Sequence, residues 1–219
     1  MLKREIKLLC ITCPRDDISY EKQVEFACQG GADMIQLRDK KMSDKDLFDL
    51  SLKLQQICAK YNVYFTVNNR VDIADISNSD GVHLGQSDLP VSYARKVLGE
   101  NKIVGISASG YDKVVEAEKL PVDYIGCGAI FPTTTKPEAN IRGLEVLKKL
   151  KTANIIKPVI AIGGIDKTNV ADVIKAGADG VAVVRAVCGA QDIKKEAQEI
   201  KEIIMRYRST EVQKYRGME

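Results

Sequence analysis

The sequence predicts a single (β/α)8 barrel with parallel strands, on three observations. Short β-branched runs alternate with amphipathic stretches along the whole chain. There are eight such pairs, each roughly 25 residues long, which suits a compact barrel near the lower end of its size range. The strand runs are apolar on both faces, as strands of a parallel sheet covered by helices are. Parallel neighbours need crossover connections, and the intervening helices supply them. A doubly wound open sheet would more often use about five or six strands and a glycine-rich turn after the first. Here Pro14-Arg15-Asp16-Asp17 follows the first strand, with no glycine.

The first strand spans Lys7–Thr12 and is followed by a helix at Tyr20–Gly30. The second strand, Met34–Leu37, precedes a helix at Asp44–Tyr61, where Ser43 and Asp46 form an approximate capping box. Tyr64–Val67 and the helix Arg70–Ser77 make the third pair. The fourth is Gly81–Leu84 with Val91–Gly99; Pro90 sits where a missing N–H costs little, and Gly99 is a stop signal. Ile103–Ile106 with Tyr111–Lys119, and Tyr124–Cys127 with Leu144–Lys151, are the fifth and sixth. Val159–Ile162 with Lys167–Ala176, and Gly180–Val184 with Asp192–Arg208, complete the set. Residues 1–208 thus read as one (β/α)8 barrel domain, and 209–219 as a short polar tail expected to fray.

Composition excludes several classes. The hydrophobic fraction is 45% and the charged fraction 29% of 219 residues, ordinary for a soluble globular chain. The 33 basic residues are scattered among 30 acidic ones, and Trp is absent, so neither a basic face nor a base-stacking platform is expected. No apolar run approaches the ~20 residues of a membrane span, and the N-terminus lacks a signal-peptide stretch. A cytoplasmic location is expected. Cys10 and Cys13 form a C-x-x-C pattern inside a strand, where positions three apart face opposite ways, so a redox or metal pair is not expected. One histidine and no second C-x-x-C argue against structural zinc.

In a barrel the ligand site lies at the C-terminal ends of the strands, so the residues after each strand describe one face. Gln36, Arg38 and Lys40 alternate onto one side after the second strand. Two cations and an amide there suit a polyanion; the bland alternative is Arg38 paired with Asp39. Asn68 and Asn69 follow the third strand. Asp88, after the fourth, is either a ligand for a hard cation or a helix cap. Ser107 follows the fifth, and Thr133-Thr134-Thr135-Lys136 lies beyond the sixth as a donor-rich cationic loop. Gly163-Gly164 after the seventh strand and Val184-Arg185 after the eighth match the place where this fold binds phosphate on backbone N–H groups. His83, the only histidine, is expected to line the barrel in a hydrogen bond rather than act as a base. No Ser/His/Asp or Cys/His set can be assembled. Two anion-binding regions in one mouth are therefore expected.

These motifs, from Gln36-Leu37-Arg38-Asp39-Lys40 through Gly81–Asp88 and Gly126–Lys136 to Gly177–Val181, resemble the thiamine-phosphate synthase family from Leu8 to about Arg208. The resemblance implies a Mg2+-assisted transferase that joins hydroxymethylpyrimidine diphosphate to hydroxyethylthiazole phosphate. It implies that Gln36, Arg38, Lys40, Asn68, Ser107 and Lys136 hold the pyrimidine diphosphate, with Arg38, Lys40, Ser107 and Lys136 the catalytic set. Thr133 and Thr135 would lie near the thiazole phosphate, whose phosphate would sit on Gly164 and the Val184-Arg185 backbone, and Thr134 counts among the substrate-binding residues. The metal ligands would be Asn69 and Asp88. Two positions depart from the family pattern: Asn69 stands where Asp is usual, and Arg185 where Ser is frequent. The expected partners are two phosphorylated small molecules, without nucleic acid or membrane and with a homodimer left open. The related thiazole tautomerase and a non-catalytic phosphometabolite sensor are the alternatives on the same barrel.

Overall fold

The computed structural model describes residues 2–216. Eight parallel strands close into a barrel in sequence order, each followed by a helix. The strands are β1 (Leu8–Ile11), β2 (Met34–Leu37), β3 (Tyr64–Asn68), β4 (Gly81–Leu84), β5 (Ile103–Ala108), β6 (Tyr124–Gly128), β7 (Val159–Ile162) and β8 (Gly180–Val183). The helices are α1 (Tyr20–Gln29), α2 (Asp44–Lys60), α3 (Val71–Ile76), α4 (Val91–Leu98), α5 (Tyr111–Glu118), α6 (Glu145–Lys151), α7 (Val170–Lys175) and α8 (Ile193–Arg216). Residues 217–219, the end of the tail expected to fray, lie outside the described residues.

The helix signals work as their chemistry requires. Ser43 Oγ accepts the Asp46 N–H at 3.2 Å and donates to the Asp46 carboxylate at 2.7 Å. Gly99 ends α4 at φ +69°, which a residue with a side chain rarely adopts. Helix α7 begins three residues later than its pattern suggests. Asp166 Oδ1 takes the Thr168 N–H, and Asn169 Oδ1 takes the Asp166 N–H, so an Asx turn occupies the start of that segment.

Period-two alternation sorts every strand into two layers. Leu9, Met34, Tyr64, Ile103, Tyr124 and Ile160 point inward and fill the barrel. Leu8, Cys10, Ile35, Leu37, Phe65 and Val82 point outward, under the helices. The barrel is thus a packed core rather than a pore. Burying each large apolar side chain contributes about 1.5–3 kcal/mol, so single polar substitutions at the mouth are expected to leave the fold intact. Gly105 illustrates the fit: a Cβ there would lie 2.2 Å from the Tyr124 ring. Only glycine lets that phenol cross the barrel.

A repeated device closes the end opposite the mouth. An aspartate immediately precedes each even-numbered strand, and its carboxylate accepts a backbone N–H from the start of the preceding strand. Asp33 takes Leu8 at 2.9 Å, Asp80 takes Phe65 at 2.8 Å, Asp123 takes Val104 at 2.9 Å and Asp179 takes Val159 at 2.9 Å. Asp123 is also paired with the buried guanidinium of Arg95 at 2.8 Å. These latches satisfy strand-end donors that the ladder leaves unpaired. They leave the other end of the barrel to binding.

Candidate active site

The strand ends surround a cavity of about 1060 Å3. Gln36, Arg38, Lys40, Asn68, Asn69, Asp88 and Ser107 line it, as do Thr133, Thr134, Thr135, Lys136, Gly164, Val184 and Arg185. Every residue singled out from the sequence as a site candidate therefore faces one space.

Arg38 stands one residue past β2. Its backbone N–H donates to Thr12 Oγ1 at 3.0 Å, so the chain is anchored there independently of the guanidinium. Asp39 does not pair with Arg38. Its carboxylate instead accepts Tyr20 O–H at 2.6 Å and the N–H groups of Lys41 and Met42 at 2.7 and 3.2 Å. Among the described residues, Arg38, Lys40 and Lys136 have no ion-pair partner. Unpaired cations converging on a cavity favour an anionic ligand.

Asn69 takes φ +66°, a conformation that Asn and Asp tolerate better than other side chains. Its N–H donates to His83 O at 2.8 Å. Asp88 is not a helix cap, because Pro90 occupies that position. Its Oδ2 accepts the Gly85 N–H at 2.5 Å and closes the turn after β4, with the second carboxylate oxygen left over. No group of three or more His, Cys, Asp or Glu residues suited to a metal occurs among the described residues.

The loop after β6 is tied down at its base. Ile130 and Phe131 N–H groups donate to Ile162 and Gly163 carbonyls, and Arg142 and Gly143 N–H groups donate back to Ala129 and Ile130. The excursion between them carries Thr133 to Lys136, with the Thr135 N–H on Thr133 Oγ1 at 3.2 Å. Gly163 and Gly164 lie beneath it at φ +105° and +63°. A Cβ on Gly164 would approach Pro132 O to 2.3 Å, so the glycine serves loop packing as well as ligand approach. The N–H groups of Gly164 and Arg185 make no hydrogen bond within the described residues. Arg185 opens a helical turn in which the Cys188 N–H donates to Val184 O at 2.8 Å, and such a turn start attracts anions.

His83 lies inside the barrel as expected, but in a contact that sequence reasoning missed. Its Nδ1 is 2.8 Å from Tyr124 Oη and its Nε2 is 2.9 Å from Ser107 Oγ. Burial holds its pKa down to about 4, so the ring is neutral. Tyr124 carries no sequence signal beyond its place in an apolar strand. Gln86 was also overlooked; its Nε2 donates to Ser107 O at 2.6 Å. All six cysteines are free, and burial raises the pKa values of both Cys10 and Cys13. Neither is a thiolate.

Fold and cavity together define a (β/α)8 barrel whose mouth gathers unpaired cations and unpaired backbone donors. A family model described as thiamine monophosphate synthase matches residues 8–187. The thiamine-phosphate synthase of Persephonella marina is 45% identical over 181 residues, covering 83% of this chain and 86% of that protein. That of Pyrococcus furiosus is 39% identical over 203 residues, covering 93% and 97%. A solved structure of thiamine phosphate pyrophosphorylase from Pyrococcus furiosus superposes with a TM-score of 0.85 at 38% identity, covering 92% of this chain and 96% of that one. A 3-hexulose-6-phosphate synthase structure, 22% identical with a TM-score of 0.65 over 90% of this chain and 99% of that one, shares the fold alone. The chain belongs to the thiamine-phosphate synthase family, and its activity is that family's transferase activity.

Proposed function

We propose that the mouth aligns hydroxymethylpyrimidine diphosphate with hydroxyethylthiazole phosphate and joins them into thiamine monophosphate. The bond between the pyrimidine methylene carbon and the diphosphate oxygen breaks, and its electron pair leaves with the diphosphate. The lone pair of the thiazole nitrogen then forms the new C–N bond at the electron-poor methylene. Diphosphate leaves well only if its growing charge is met. Arg38, Lys40 and Lys136 meet it here, in a cavity where such charges act more strongly than in open water. Thr133 to Thr135 and the free N–H groups of Gly164 and Arg185 hold the thiazole phosphate and fix its angle of approach. The carrying observation is that unpaired cations and unpaired backbone donors line the same cavity.

Asn69 and Asp88 offer one amide oxygen and one carboxylate, a donor set that suits Mg2+ taking its other ligands from diphosphate and water. They would hold the ion, which when bound would neutralise part of the diphosphate charge. A single carboxylate implies weak binding before substrate arrives. Asn69→Asp adds a negative charge in a backbone conformation that Asp accepts. By calorimetry without substrate, this variant binds Mg2+ at least several-fold more tightly than the parent; equal or weaker binding would remove Asn69 from the metal site.

Six free thiols, five of them buried, fit a reducing compartment and support a cytoplasmic location. Among the described residues no helix is long and apolar enough to cross a membrane. The direct test is incubation of the protein with both phosphorylated precursors and Mg2+. Thiamine monophosphate and inorganic diphosphate form in equal amounts. Isomerised thiazole without condensation, or binding without turnover, would overturn the reading.

A further inference from the structure

Tyr124 on β6, His83 on β4 and Ser107 on β5 form one polar line across the barrel, just beneath the mouth. The spacings are 2.8 Å from Tyr124 Oη to His83 Nδ1 and 2.9 Å from His83 Nε2 to Ser107 Oγ. The Ser107–His83 contact has the outline of a nucleophile and its base. Its hydrogen-bond polarity is the reverse of one. Tyr124 is 1% exposed, and its hydroxyl proton needs an acceptor. Among the described residues, the hydroxyl's hydrogen-bond partner is His83 Nδ1. Burial raises the phenol's pKa, so the hydroxyl keeps its proton and presents it to the ring nitrogen 2.8 Å away, with the Gln36 side chain alongside.

In a serine–histidine–aspartate triad the third group accepts from Nδ1–H; here it donates to Nδ1. A neutral ring that accepts at Nδ1 carries its proton on Nε2. That proton goes to Ser107 Oγ, so His83 cannot take the serine's own. The Ser107 hydroxyl makes no other hydrogen bond among the described residues, and Ser107 lines the cavity.

We infer that Tyr124 and His83 are positioning residues that hold Ser107 as a hydrogen-bond donor toward an anionic oxygen of the bound diphosphate, and not as a nucleophile. This rests on the proposed reading that sets the diphosphate beside Arg38 and Lys136. The barrel is fitted around the line: a Cβ on Gly105 would strike the Tyr124 ring, and one on Gly126 would come within 3.2 Å of His83 Cε1.

The chain has one histidine, so nitrogen-15 labelling of histidine reports His83 alone. The spectrum shows a protonated Nε2 and a bare Nδ1; a protonated Nδ1 would overturn the inference. Tyr124→Phe keeps the ring and removes the donor. It lowers kcat about tenfold, with a smaller change in KM for the pyrimidine substrate, in a protein that a melting curve shows still folded though less stable, since Nδ1 loses its donor. Ser107→Ala lowers kcat at least as far, and Tyr124→Phe adds nothing in that background, because it acts through Ser107. An additive double variant, or full turnover of Tyr124→Phe beside an impaired Ser107→Ala, would overturn the relay and leave the site reading standing. Full turnover of Ser107→Ala would overturn the placing of the diphosphate itself.

Discussion

Arg38→Ala lowers kcat about a hundredfold while leaving the protein folded. The size follows from what the guanidinium does. It is half-buried at the mouth, lacks an ion-pair partner among the described residues, and can grip two phosphate oxygens at once. Removing one well-placed donor to a developing negative charge costs ~10²–10³ in rate. The fold survives because the backbone at Arg38 is held by Thr12, not by its own side chain. Arg38→Lys keeps the charge and loses the two-pronged geometry, so it recovers part of the rate. Steady-state kinetics with a melting curve check this. Parental kcat in the alanine variant would show that Arg38 does not meet the leaving group.

Gly164→Ala raises KM for the thiazole phosphate at least tenfold, lowers kcat, and destabilises the fold by about 1–3 kcal/mol. Three effects act together. The position needs φ +63°. The added Cβ would sit 2.3 Å from Pro132 O and 2.8 Å from Phe131 Cβ, which forces the β6 loop upward and carries Thr133 to Lys136 with it. The shift also moves a free N–H away from its anion. Gly99→Ala is the control. It has a similar φ of +69° but nothing within 4 Å of the new Cβ, and it ends α4 away from the cavity. It loses stability and keeps parental kinetics. Equal kinetic effects of the two variants would show that backbone strain, not the loop–phosphate contact, is responsible.

Much of this architecture was legible in the chain because barrel strands announce themselves twice, by composition and by spacing. Strands β2, β4 and β7 have the boundaries their apolar runs suggest. Strand β5 runs two residues further, since Ser107 and Ala108 pair with Gly126 and Cys127 and so extend the ladder past the apolar run. The site residues were legible because each follows a strand, and a closed barrel brings all such positions to one end. Contacts between those positions were not. Ser107 and His83 are 24 residues apart, and His83 and Tyr124 are 41 apart. Only strand register joins them, through pairings such as His83 with Gly105 and Ser107 with Gly126. The aspartates before the even strands were visible as letters, yet their common role depends on a neighbouring strand's N–H, which no local pattern marks.

Two separate anion subsites in one mouth can be measured without turnover. Inorganic diphosphate with Mg2+ is titrated calorimetrically into protein saturated with hydroxyethylthiazole phosphate. Separate subsites take up one diphosphate per chain with no loss of affinity and no release of the thiazole phosphate. Displacement of one anion by the other would contradict the two-subsite mouth.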